Sequence, residues 1–173
     1  MNPFWTSISG SEIQQGDFLP NCFVPVAPDD FSAAKRNAPL DVKNLDIIVI
    51  SQSCDLANQK SGQVAICPVY SIPFFESTNL GFKKKGVWEE VRKGRREGLH
   101  LLASPTMPEE PRESLLVNFR EIFSLPIGYL QTQALELGDR WRLQSPFLEH
   151  FSQTFARFFM RVGLPTAVPP FPN

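Results

Sequence analysis

The stretch SQSCD, residues 51 to 55, gathers two serines, a cysteine and an aspartate directly behind the apolar residues Ile48, Val49 and Ile50. One chemistry open to such a cluster is nucleophilic attack by Cys54, with Asp55 orienting or charging the site. A cysteine attacks only as the thiolate, which needs a base or a cation beside it. The chain has two histidines, His100 and His150, both far from Cys54 in sequence. Asp55 alone works against activation, because a neighbouring carboxylate raises a thiol's pKa; it helps only through an intervening histidine or arginine. The other reading is a turn. Ser53 or Asp55 then accepts a backbone N–H within residues 53 to 58, and Cys54 is a small, half-buried filler. The turn is the first expectation and a reactive site the second.

Charge supplies another candidate. Residues 83 to 97, KKKGVWEEVRKGRRE, carry Lys83, Lys84, Lys85, Arg92, Lys93, Arg95 and Arg96 against three glutamates. Cations interleaved with Trp88 suit a flap that neutralises phosphates and stacks on bases. The same residues also describe a short solvated helix, weakened by Gly94, whose glutamates pair with its own cations. Further along, at about 100° per residue, His150, Gln153, Thr154, Arg157 and Arg161 fall in one sector of a helix, opposite a phenylalanine stripe. That sector is either plain solvated surface or a contact face for RNA or a protein.

The elements that must position these groups follow from pattern. GDFLPNCFVPV gives a turn at Gly16-Asp17 and a strand over 16–26, with Pro20 and Pro25 marking an edge or a bulge. Residues 27–44 are polar and proline-bearing, hence a long loop. LDIIVIS predicts a central strand over 45–52, CDLANQKSG a turn, and QVAICPV a strand over 62–69. LHLLAS returns to strand, TMPEEPRE is an acidic loop, and SLLVNFREIFSLP holds one or two strands. IGYLQTQALELGD is a turn or short helix and RWRLQ a short strand. A helix over 145–163 is the clearest element. Ser145 is placed as its N-cap and Pro146 at its first position. Phe147, Leu148, Phe151, Phe155, Phe158, Phe159 and Val162 form its stripe, with Phe155 and Phe158 buried on a sheet. Gly163 and Pro165 stop it, and the tail 164–173 is loose.

The totals bound the rest. A net charge of −1 gives no global field for nucleic acid, so any basic surface is local. With 42% hydrophobic and 20% charged residues, 1–173 suits one soluble globular domain. Sixteen prolines against ten glycines favour short strands over a bundle. Three cysteines without a CxxC pair argue against a zinc site and a disulfide framework; Cys22 and Cys67 read as core thiols, and no metal or other cofactor is expected. With no leader-like N-terminus and no apolar run of about 20 residues, the expectation is a cytoplasmic protein without membrane contact.

The order GDF, long loop, LDIIVIS, turn, GQVAICPVYS resembles the PemK/MazF-like toxins, whose pattern is GD with an apolar strand, then Arg-Pro with an apolar run ending in Ser, then a strand ending in Pro and Thr or Ser. LLVNFREIFSLPIGYL resembles their later strand leading into a short helix. The likeness covers residues 13–69 and, more loosely, 114–163; 70–113 stand as an insertion. It implies an α+β fold, an SH3-like β-barrel with an inserted basic segment and a C-terminal amphipathic helix. It also implies a nucleic-acid-associated protein of toxin–antitoxin or defence type, a metal-independent endoribonuclease acting on single-stranded RNA. In that family an Arg before the second strand and a Thr or Ser after the third carry the reaction. Ser71 matches the second position. Leu45-Asp46 stands where Arg-Pro would be, and Lys43 substitutes only loosely. On this reading Ser71, Cys54 and Asp55 are the catalytic candidates, with Arg92, Arg95 or Arg96 supplying charge. The alternatives are a non-catalytic binding module on the same barrel, with a protein partner or a second copy, and a cysteine hydrolase using Cys54.

Overall fold

The run LDIIVI is apolar without a break because both faces of its strand are covered. The computed structural model describes residues 4 to 28, 39 to 58 and 61 to 160. Its strands are β1 (Trp5–Ile8), β2 (Asp17–Val26), β3 (Asp41–Val49), β4 (Gln63–Ser71), β5 (Leu99–Leu102), β6 (Leu115–Asn118), β7 (Phe123–Pro126) and β8 (Arg140–Leu143). Its α-helices are α1 (Ser53–Ala57), α2 (Ile72–Thr78), α3 (Val87–Arg92), α4 (Ile127–Leu137) and α5 (Phe147–Phe159). The eight strands form one antiparallel sheet in the order β1-β8-β2-β3-β4-β6-β5. The second edge of β4 is shared: its first half pairs with β7 and its last residues with β6.

The fold is therefore α+β, with the three strands expected over 16–26, 45–52 and 62–69 side by side. The expected closed barrel is not what forms: the sheet runs open from β1 to β5. Alternation along β3 and β4 gives the physical reason. Ile47, Val49, Val64 and Ile66 join a cluster with Leu130 and Ala134 of α4, whereas Ile48, Ile50, Cys67 and Val69 join one with Phe119 and Phe151 on the α5 side. Helices bury both faces, so the central strands need no closure to leave water.

Several local expectations change. β3 begins at Asp41, inside the expected loop, because residues 41 to 44 pair with residues 23 to 26 of β2 although they are exposed. The prolines of β2 do mark a bulge, between Leu19 and Cys22. They are tolerated because β8 pairs only with Asp17 and Phe18, which frees the rest of that edge. The CDLAN turn is the short helix α1, and IGYLQTQALEL is an eleven-residue helix whose Leu130 and Ala134 face the sheet. Strand β1 was not expected; Trp5 secures it with an indole N–H to the Ala103 carbonyl at 2.7 Å.

Helix α5 starts at Phe147, with Pro146 at the cap. Ser145 does not cap it, because its hydroxyl donates to Glu149 Oε1 at 2.7 Å. Phe151 is the buried anchor; Phe155 and Phe158, expected to be buried, are only partly so, and Phe159 is exposed. Arg161, Val162, Gly163, Pro165 and the tail 164–173 lie outside the described residues. The segment 70–113 builds its own small core of Phe75, Val91, Leu99 and Leu116, with Phe82 and Trp88 packed on it.

Asp17, of the GD pair, is a lock rather than a site. Fully buried, it accepts from both guanidinium groups of the RWR strand, Arg140 and Arg142, and from the Gln14 N–H at 3.1 Å. Gly16 beside it has φ +82°, and a Cβ there would lie 2.9 Å from Leu148 Cδ1. No helix among the described residues is long and apolar enough to cross a membrane.

Candidate nucleic-acid interface

The turn after α3 is placed by two glycines and one arginine. Gly94 and Gly98 both have positive φ, which L side chains rarely adopt. At Gly98 a Cβ would come 2.8 Å from Arg120 Cγ and 3.0 Å from Phe158 of α5, so only glycine lets the turn sit this close to the helix. Arg120 donates to the Glu97 carbonyl at 2.6 Å, and the Phe119 N–H to the Gly98 carbonyl at 2.8 Å. The cations of residues 92 to 96 are thereby carried to the flank of α5.

A groove of about 360 Å³ opens between them. Arg92, Lys93, Arg96 and Glu97 line one wall, His100 and Leu99 of β5 the floor, and His150, Thr154, Arg157 and Phe158 of α5 the other wall. The basic segment and the polar sector of α5, separate candidates in the sequence, thus face each other across one cleft. Arg92 and Lys93 pair with Glu89, and Arg95 with Glu90. Arg96 and Arg157 have no ion-pair partner among the described residues. Arg96 instead lies 6.0 Å from the Phe82 ring centroid.

Both histidines meet at this cleft, with ring centroids 5.2 Å apart. His100 is 6% exposed and stacks on Phe119, with Phe151 edge-on. Burial, and secondarily the charge of His150, pushes its pKa down from 6.5 to about 4. His100 is therefore neutral at pH 7. The pairing was not legible in the sequence. The one signal was a histidine inside the apolar strand LHLL, an unusual place for a group with hydrogen-bonding capacity on both sides of its ring.

The catalytic candidates do not converge. Ser71 ends β4, while α1 follows the opposite end of the neighbouring strand, where Ile50 bonds to Ala65. Six residues of strand separate positions 65 and 71, roughly 20 Å at about 3.3 Å per residue. Ser71 Oγ caps α2, accepting the Phe74 N–H at 3.3 Å. In SQSCD, Ser51 Oγ accepts the Ala65 N–H at 2.8 Å and Ser53 Oγ the Gln15 N–H at 3.1 Å. The serines tie this corner to other strands and loops instead of closing a 53–58 turn, because α1 supplies its own backbone bonds there. Cys54 is exposed rather than half-buried, and its thiol faces Gln52 Oε1 at 3.7 Å and Asp55 Oδ1 at 3.9 Å. These are acceptors, which do nothing to favour a thiolate. Cys22 and Cys67 are buried, with thiol pKa values pushed up to about 12, desolvation being the main cause.

The basic candidates divide. Arg92, Lys93 and Arg96 line the groove; Lys83, Lys84 and Lys85 are exposed but do not line it, nor does Arg95. Trp88 packs between Phe75 and Phe82 and donates its indole N–H to Glu76 at 2.7 Å. Glu76 also takes a bidentate pair from Arg112, which holds its carboxyl at about 2. Trp88 is thus a partly buried packing residue of the inserted segment, and it does not line the groove. Among the described residues no group of three or more His, Cys, Asp or Glu could hold a metal ion. On the other flank of α5, Ile50, Phe155, Ala156 and Phe159 line a second, more apolar groove. No model of a known protein family matches the chain, and no curated protein matches it.

Proposed function

We propose that this protein binds single-stranded RNA along the groove between the α3–β5 turn and α5. The observation that carries the reading is the convergence of Arg96 and Arg157, unpaired among the described residues, across a cleft floored by a histidine. A guanidinium with no carboxylate partner keeps its full attraction for phosphate. The chain's net charge of −1 gives no global field, so that attraction is local. A single strand suits the cleft better than a duplex, because its partly buried Phe158 offers contact to an unstacked base.

The wider role is a nucleic-acid-associated protein of toxin–antitoxin or defence type, and the sheet is an opened relative of the PemK/MazF barrel. The GD turn before β2, the antiparallel run β2-β3-β4 and the helix following β7 support that kinship. The family's reaction, however, has no counterpart: Ser71 is a helix cap and Leu45-Asp46 replaces Arg-Pro. A cysteine hydrolase fits less well, since both histidines are committed to the groove and the thiol of Cys54 faces acceptors.

The reading is tested by photocrosslinking. A mixed-sequence RNA oligonucleotide containing 4-thiouridine is irradiated with the protein and the crosslinked peptides are identified by mass spectrometry. Crosslinks should fall within residues 92–101 and 150–158. Crosslinks confined to residues 51–58 or around Ser71, or no complex with RNA at all, would overturn it.

A further inference from the structure

We propose that His100 and His150 form an acid–base pair that cleaves the bound RNA strand, using the strand's own 2′-hydroxyl as nucleophile. The inference rests on the RNA reading above and names the chemistry of the same groove. It begins from placement. Two imidazoles with centroids 5.2 Å apart stand at the wall and floor of a cationic cleft, one buried and one exposed. In-line displacement at phosphorus has its entering and leaving oxygens on opposite sides of one phosphate. Each needs a proton moved, in opposite directions. Two adjacent imidazoles, one buried and one exposed, meet that need when one is neutral and the other carries a proton.

Burial between Phe119 and Phe151 keeps His100 neutral, so it is the base. His150, exposed on α5, is the acid when protonated. The neutral ring nitrogen of His100 takes the 2′-hydroxyl proton as the 2′-oxygen bonds to phosphorus. The bond from phosphorus to the 5′-oxygen breaks, and that oxygen takes the proton from His150. The products are a 2′,3′-cyclic phosphate and a 5′-hydroxyl, with no redox change and no added reactant. The two transfers help each other: His150 charge opposes protonation of His100, and that opposition disappears as His150 gives up its proton. Arg96 and Arg157 face the pair from either wall and stabilise the charge building on the non-bridging oxygens. Arg92 and Lys93 add positive field and Glu97 opposes it, so the pH profile belongs to the set, not to one ring.

The experiment uses the full chain in EDTA with two fluorescent oligonucleotides of one mixed sequence, one all-ribose and one fully 2′-O-methylated. The wild type should bind both and cut only the first, leaving cyclic-phosphate and 5′-hydroxyl ends. Cutting should fall as the pH drops toward about 4, where His100 takes up a proton. His150→Ala, at an exposed position, should slow cutting of the bound oligonucleotide, read in a single turnover at saturating protein, by about 10²-fold or more. His100→Gln should do the same; if it fails to fold by circular dichroism, His150→Ala carries the test alone. Binding without cutting, or a His150→Ala protein that cuts at the wild-type rate, overturns the pair and leaves the RNA-binding reading standing. Failure to bind either oligonucleotide overturns both.

Discussion

At the corner after β3, Ser51, Ser53, Cys54 and Asp55 are neighbours in sequence, and the two serines are bonded into the fold, to Ala65 and Gln15. At the groove, Arg96, His100, His150 and Arg157 come from three elements, and the two arginines have no ion-pair partner among the described residues. A short run of reactive residue types is easy to see in a sequence, yet local proximity is also what turn and corner hydrogen bonding needs. Groups brought together from distant segments, and left with unspent charge, are costly to assemble and so point more strongly to a ligand.

The largest effect expected is on the platform under the groove. Phe151→Ala should cost about 3–5 kcal/mol, as the ring is fully buried against Phe119 and His100. Phe155→Ala should cost less, roughly 1–2 kcal/mol, because its ring is only partly buried. Urea unfolding of both variants checks the order; equal losses would mean α5 is seated differently and the groove with it.

Next comes pH. The unfolded chain protonates His100 near 6.5 but the folded chain only near 4, so stability should be complete above 6.5 and fall as the pH drops toward 4. The loss reaches about 3 kcal/mol for a shift of this size. Glu76 adds a further fall between 4.5 and about 2, as its bond to Arg112 is lost on protonation. Chemical denaturation at pH 7, 5 and 4 reads the first window; a flat profile would mean that His100 is not desolvated as described.

The other corner should respond weakly. Ser71→Ala removes a helix cap and should cost about 1 kcal/mol, with RNA binding unchanged. Cys54→Ser should shift stability by no more than about 0.5 kcal/mol and leave binding and cutting intact. Loss of activity in a well-folded Cys54→Ser protein would reverse the comparison between the two regions and make the SQSCD corner the site.

What was legible in the sequence follows the same division. The strands expected over 16–26, 45–52 and 62–69 and the phenylalanine helix could be read because burial imposes a period on adjacent residues, whereas the exposed start of β3 at 41–44 could not. Whether the sheet closes could not, since it depends on α4 and α5 covering opposite faces, a long-range outcome. The tie between Asp17 and Arg140–Arg142 spans more than a hundred residues and left only the two-residue spacing of RWR as a trace. Three of the groove's cations, Arg92, Lys93 and Arg96, were visible in a basic run of seven, and the other four of that run proved to be elsewhere. Gly98 decided which, by letting one end of that run approach Phe158.

The central claim is that Arg96 and Arg157 hold an RNA backbone, and a salt titration tests it most directly. Fluorescence anisotropy with the 2′-O-methyl oligonucleotide between 50 and 300 mM salt, about the physiological range, gives log Kd against log salt for the wild type and for Arg96→Glu/Arg157→Glu. Two phosphate contacts on a single strand predict a wild-type slope of magnitude about 1.4 or more. The double variant should bind at least about tenfold more weakly, with a shallower slope. Equal affinities and equal slopes for the two proteins, or wild-type binding indifferent to salt, would contradict the account.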